Sequence, residues 1–170
     1  ASLGIRPWTD SKKKEIINSR VEGTKALAAA VKEANKNGGG GRPQTDFLVA
    51  SGPGIYGFEG IGPNAALCDE SMDTSQTTGF LADVSREWES AAKEAVGDGA
   101  KGRVVQMRFG VVLSKLGGAL AKLYPIFFVG GGGYVGSGDQ YFPFISARDL
   151  ARSIVHNIET PHLHGPVHMV

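Results

Sequence analysis

Apolar and polar positions along this chain follow two alternating periods, and their order predicts the fold. Apolar or small residues at Ile17, Val21, Thr24, Ala28 and Val31 recur at helical spacing. Lys12, Lys13, Glu15, Lys32 and Glu33 mark the opposite, solvated face. Thr9 or Asp10 can cap this helix by accepting a free backbone N–H. It is expected to run to about Lys36. Asn37 and the glycines Gly38 to Gly41 end it, because successive glycines lose too much backbone entropy to stay helical. No strand precedes those glycines and no helix start follows them, so they read as a loop insertion rather than a phosphate cradle.

Asp46 to Ser51, DFLVAS, has the length and apolar character of a buried parallel strand. A long loop follows, from Gly52 to about Gly79, of the kind that is usually functional or poorly ordered. Phe80 to Val96 predicts a second helix, with Phe80, Val84, Trp88 and Ala92 on one stripe facing a sheet. Val104 to Phe109 predicts a strand that Gly110 to Leu113 can extend. Gly117 to about Phe128 predicts a short helix containing Pro125, and Asp139 to Ile145 an extended segment. Ser146 and Asp149 have the spacing of a capping box for a helix to about Glu159, with Leu150, Ile154 and Ile158 inward. Val167 to Val170 begins a last strand.

Helices alternating with strands predict an α/β fold with a parallel sheet. No internal repeat or domain boundary interrupts it, and 170 residues suffice for one domain with a core. Lys plus Arg number 18 against 17 Asp plus Glu. That balance gives no electrostatic reason to expect nucleic acid or an anionic membrane as a partner. Lys12, Lys13 and Lys14 form the one basic cluster, which a solvated helix face explains. Cys68 is the single cysteine, so no internal disulfide can form, which suits a reducing compartment. No secretion signal and no bilayer-spanning apolar run is visible. The ends, ASLGIRPW and GPVHMV, read as cut.

In a parallel α/β sheet, ligands bind beyond the carboxyl ends of the strands. Ser51 stands at one such end, followed by Gly52-Pro53-Gly54-Ile55-Tyr56-Gly57. Its hydroxyl can hydrogen-bond a substrate oxygen while the glycines admit a ligand to the backbone; alternatively Ser51 merely ends a strand and Tyr56 packs. Arg108, with Phe109 and Gly110, stands at a second end. It can hold a neighbouring loop or a ligand anion, or form a structural ion pair. The Gly117-Gly118 turn offers free N–H groups at a helix start. The glycines Gly130 to Gly133 and Gly136-Ser137-Gly138 either close over a ligand or let strands pass closely. Neither glycine group lies between a first strand and its helix, so neither is a dinucleotide fingerprint. Of the histidines His156, His162, His164 and His168, His162 and His164 sit two apart in the loop PHLHG with no Cys or acidic residue at ligand spacing beside them, so they read as ordinary surface histidines, not a zinc site. Cys68 has no evident His partner and reads as a half-buried thiol.

The run RFGVVLSKLGGALAKLYPIFFVGGGGYVGSGDQYFPFISARDL resembles a segment of the epimerase-family group of atypical short-chain dehydrogenase/reductases. In that group it corresponds to an Arg-x-Gly-Val-Val-Leu strand, a Gly-Gly helix, a glycine hinge and an aspartate-containing helix cap. Upstream, PWTDSKKKEIINSRVEGTKAL and FLADVSREWESAAKEA are similar to two of the family's helices. The resemblance covers essentially the whole chain. It implies an incomplete NAD(P)-binding Rossmann-like domain over residues 1–170, with 114–145 as a substrate-side hinge. It places Ser51 and Tyr56 as catalytic, Ser51, Gly52, Arg108 and Gly110 at the cofactor, and Gly117, Gly118 and Gln140 at the substrate.

Three departures follow from the comparison with the group. The dinucleotide fingerprint belongs upstream of Ala1. Phe80 and Val84 stand where active short-chain dehydrogenases carry the Tyr and Lys that exchange a proton. Ser146 replaces a His, and His168 an Asn. The resemblance implies NADP or NAD as cofactor of the full-length protein, without the usual Tyr–Lys chemistry and with none necessarily held by this part alone. The alternative is a non-catalytic scaffold subunit of a larger organellar complex. An intracellular protein, soluble or peripherally attached, is expected, with chloroplast, mitochondrion and cytoplasm all open. Without upstream strands, the Asp46 to Ser51 strand is expected to leave one edge open, for a protein partner to cover.

Overall fold

Thr9 takes the expected cap: its hydroxyl accepts the Lys12 N–H at 3.3 Å and opens α1 (Asp10–Lys36). This is a computed structural model, and it describes residues 8–37, 44–57, 67–97, 99–134 and 136–170. The glycine run 38–41, residues 58–66 of the long loop and Val135 in the hinge lie outside the described residues. The buried stripe of α1 is Ile16, Val21, Thr24 and Ala28. Ile16 is the first buried residue of the helix, whereas Ile17, which the spacing aligns with Val21 and Thr24, is only half-buried.

The remaining elements are β1 (Phe47–Ser51), α2 (Phe80–Lys93), β2 (Val104–Phe109), β3 (Val111–Leu113), α3 (Gly118–Phe128), β4 (Phe144–Ser146), α4 (Ala147–Glu159) and β5 (Gly165–Met169). A 3₁₀ turn, Pro53–Tyr56, follows β1. Strands β1, β2 and β5 form a parallel sheet in that order, and β3 pairs in parallel with β4. This is the α/β architecture that the alternating pattern predicts. Among the described residues β1 pairs with β2 alone.

Side chains alternate across a strand, so each strand divides its residues between two layers. Phe47, Val49 and Val104 pack with Ala28, Ala92 and Ala95 against α1 and α2. Val105, Met107 and Met169 pack on the other face with Ile145, Leu150 and Ile154. Trp88 packs against the first of these clusters and Phe80 lies toward the start of the chain. Trp88 donates its Nε1–H to Thr24 Oγ1 at 2.9 Å, and Phe80 meets Trp8 edge-on at 5.3 Å.

Ser146 caps α4 by accepting the Asp149 N–H at 3.0 Å, as its spacing with Asp149 predicts. Leu150 and Ile154 face inward, but Ile158 is exposed and Asn157 is buried in its place. The cause lies in Arg103. It donates to the carbonyls of Asn157, Ile158, Thr160 and Leu163 and pairs with Asp46 at 2.7 Å. A cation at the carbonyl end of a helix is favourable, and this one ties the end of α4 to the start of β2.

Gly110 is where the backbone changes sheets. Its N–H donates to Met169 of β5, while the next N–H, from Val111, donates to Pro143 beside β4. A Cβ there would meet the Pro143 carbonyl carbon at 2.9 Å, so only glycine permits the crossing. Residues 139–143 form no strand; only Phe144–Ser146 does. No helix among the described residues is long and apolar enough to cross a membrane.

Candidate functional site

Ser51 and Arg108 are register partners at the carboxyl ends of β1 and β2. Parallel register and side-chain alternation put both on the face covered by α2. On α2, Ser85, Glu89 and Ala92 lie on the turn-spaced stripe that meets that face, and all three are buried. Glu89 therefore arrives between the two strand ends.

The contacts there are dense. Ser51 Oγ–H donates to Glu89 Oε1 at 2.7 Å. Arg108 grips the same carboxylate with two bonds of 2.9 Å, Nε to Oε1 and Nη2 to Oε2. Ser51, Glu89 and Arg108 are 6%, 4% and 4% exposed, so this is a buried, two-pronged ion pair. Burial works against the guanidinium charge, but Glu89 outweighs it and holds the Arg108 pKa above its ordinary value. Arg108 thus forms the structural ion pair and, through Tyr56, also holds the neighbouring turn.

Tyr56 extends the cluster. Its Oη accepts from Arg108 Nη1 at 2.5 Å and lies 3.0 Å from the Asp69 carbonyl oxygen and 2.5 Å from His168 Nε2. Burial pushes the phenol pKa upward, and the Arg108 charge opposes that push without cancelling it. His168, at the end of β5, also donates its backbone N–H to Glu70 Oε1 at 2.8 Å, which holds the Glu70 carboxyl below its usual range. Glu70 Oε1 lies 3.8 Å from His168 Nδ1. The loop at Asp69 and Glu70 is thus fastened to the ends of both the 3₁₀ turn and β5.

The other expected site residues fall in different places. Gly52 is extended and caps the 3₁₀ turn beside Ser51. Gly110 lies against Pro143 and Phe144. Gly117 bridges to Ser114, and Gly118, at φ +72°, starts α3. Gln140 is exposed. The hydrogen bonds described for Ser51, Tyr56, Glu89 and Arg108 join them to one another, to Asp69 and to His168. Phe80 and Val84 occupy packing positions, with Lys13 Nζ 5.7 Å above the Phe80 ring. Among the described residues no group of three His, Cys, Asp or Glu side chains could hold a metal.

Sequence reasoning missed Glu89. Its signal was an acidic residue immediately after Trp88, four positions on from Ser85, on the stripe that packs against the sheet.

Comparison with known proteins is consistent along the whole chain. An epimerase family protein of Mycobacterium bovis is 38% identical over 168 residues, which is 99% of this chain and 50% of that protein. The human epimerase family protein SDR39U1 is 33% identical over 161 residues, 95% of this chain and 50% of the relative. The chain is a homologue of the epimerase family proteins, in the atypical short-chain dehydrogenase/reductase group. No family model matches it.

The chain spans about half the length of the curated relatives it matches. The crystal structure of human SDR39U1 with NADPH superposes at a TM-score of 0.81 and 32% identity, over 98% of this chain and 52% of that one. A nucleoside-diphosphate sugar epimerase from Corynebacterium glutamicum superposes at 0.76 and 33% identity, over 97% of this chain and 32% of that one.

Proposed function

We propose that this chain forms the substrate-side part of an NAD(P)-dependent site of the epimerase or oxidoreductase type, centred on Ser51. The observation that carries the reading is the placement of Ser51 at the carboxyl end of a parallel strand, with Glu89 and Arg108 holding it there. Ligands of such sheets bind beyond that end.

Of the four residues expected at the cofactor, Ser51 and Gly52, at the carboxyl end of β1, would be the ones to face a nicotinamide ring. Arg108 and Gly110 are engaged by contacts within the chain. When bound, the nicotinamide supplies or accepts a hydride. Ser51 orients the group that faces it. Tyr56, with its phenol proton retained, positions Arg108 and His168 rather than ionising. Gly117, Gly118 and Gln140 would line the substrate side of the crevice.

The test is calorimetric titration of NADPH into a chain carrying this segment at the relatives' full length. Micromolar binding that weakens several-fold in Ser51→Ala supports the reading. Absence of binding overturns it.

One observation favours a second reading, a non-catalytic subunit of a larger assembly. α3 has no buried residue, and Leu123, Tyr124, Ile126, Phe127 and Phe128 are exposed along it. A contiguous apolar surface of this kind marks an interaction site. A chloroplast setting for such an assembly draws support from an Arabidopsis thaliana relative, described as chloroplastic and 36% identical over 160 residues.

A further inference from the structure

Hydrogen counting at the strand ends narrows what this site recognises. A serine hydroxyl has one proton and two acceptor lone pairs. The Ser51 proton is directed at Glu89 Oε1, 2.7 Å away. Both Glu89 oxygens already accept N–H bonds from Arg108 in a two-pronged ion pair, and Ser51 is the donor in its bond to Oε1. Tyr56 is in the same position. Its Oη accepts from Arg108, and its single proton goes to the Asp69 carbonyl or to His168, at 3.0 and 2.5 Å. Whichever of the two takes it, that proton also stays inside the chain.

We propose that Ser51 acts toward its ligand as a hydrogen-bond acceptor only, so that the site selects a group bearing a hydrogen, an alcohol hydroxyl or an amide N–H, over a bare carbonyl oxygen. This rests on the reading of Ser51 as a ligand-facing residue. Glu89 is then a positioning residue that sets the polarity of the hydroxyl without touching the ligand. The inference reverses the simplest expectation for a strand-end serine, which is donation to a substrate oxygen. An acceptor fixed by a buried ion pair discriminates well, since a ligand without the hydrogen leaves its lone pair unmatched in a desolvated place.

The test uses two probes of matched size, propan-2-ol and propanone, titrated into the ¹⁵N-labelled chain while the amides of Ser51 and Gly52 are followed by NMR. Propan-2-ol is expected to bind about fivefold more tightly than propanone at these amides, the ratio of one modest hydrogen bond. Ser51→Ala keeps the Glu89–Arg108 pair and is expected to abolish the ratio. Three results overturn the proposal: equal or tighter binding of propanone, a ratio that survives in Ser51→Ala, or no response of either amide to either probe. Loss of NADPH binding in the longer chain would overturn the cofactor reading and leave this ratio intact, so the two failures are distinguishable.

Discussion

Arg108 and Glu89, nineteen positions apart in the chain, meet through two parallel bonds of 2.9 Å beneath the strand ends. Both side chains are almost fully buried, so each is a charge whose solvent has been replaced by the other. Such a pair adds little to stability over an apolar pair of the same shape, yet losing one member is severe. Glu89→Ala strands the Arg108 charge and is expected to cost about 3–5 kcal/mol in urea unfolding. Arg108→Met with Glu89→Leu removes both charges and is expected to recover most of that loss. If the double variant is as unstable as Glu89→Ala, packing rather than stranded charge sets the cost.

The two glycines with the sharpest contrast are Gly110 and Gly23. A Cβ at Gly110 would overlap the backbone of Pro143 and Phe144 at 2.9–3.0 Å, where nothing flexible can yield. Gly110→Ala is expected to destabilise by about 1–3 kcal/mol, the range for overpacking. Gly23 lies in mid-helix with nothing within 4 Å of a Cβ. Gly23→Ala is expected to stabilise by roughly 0.5–1 kcal/mol, since alanine restricts the unfolded chain and costs nothing in the helix. Thermal unfolding of the two variants side by side checks both signs.

The layers of this fold were legible because they follow from period. Strand β1 and helices α1, α2 and α4 lie within a few residues of where apolar spacing puts them. Both the Thr9 and Ser146 caps follow from side-chain chemistry at helix starts. Ile16 and Asn157 were not legible, because contacts far away in sequence decide which side of a helix turns inward. The cluster at the strand ends was half legible. Ser51, Tyr56 and Arg108 stand at strand ends or just past one, which pattern can locate. Glu89 and Glu70 reach them only once α2 and the loop have folded over the sheet. An acidic residue within a helical pattern is usually solvated, and only the buried cation opposite makes this one different.

Glu70 gives the loop a dependence on acid. The backbone N–H of His168 lowers the Glu70 pKa below its unfolded value, so the bond is fully present above that value and is lost as pH falls through the lowered one. Unfastening of the loop at Asp69 and Glu70 is therefore expected only below about pH 4, the unfolded carboxyl range. Amide exchange at His168 reports it directly. The same amide should exchange faster at neutral pH in Glu70→Ala, and a pH-independent exchange profile would exclude this bond as the fastening.

Arg103 offers a test of geometry against charge. Its planar fork reaches four carbonyls at the end of α4 as well as the Asp46 carboxylate. Lysine keeps the charge but not the fork. Arg103→Lys is expected to lose at least about 2 kcal/mol, with the last turn of α4 fraying first in hydrogen exchange. A change within a few tenths of a kcal/mol would mean that charge alone suffices there.

Gln106 points the other way, toward a gain. It sits between Val104 and Arg108 on the α2 face of β2, 1% exposed, and its Oε1 has no hydrogen-bond partner among the described residues. A buried acceptor without a partner carries a desolvation penalty that an apolar atom in its place does not. Methionine matches its length and bends to fit irregular space. Gln106→Met is expected to stabilise the chain by about 1 kcal/mol in urea unfolding at an unchanged slope. Loss of stability instead would show that the amide is matched by a bound water or ligand, because only a satisfied polar group is costly to replace.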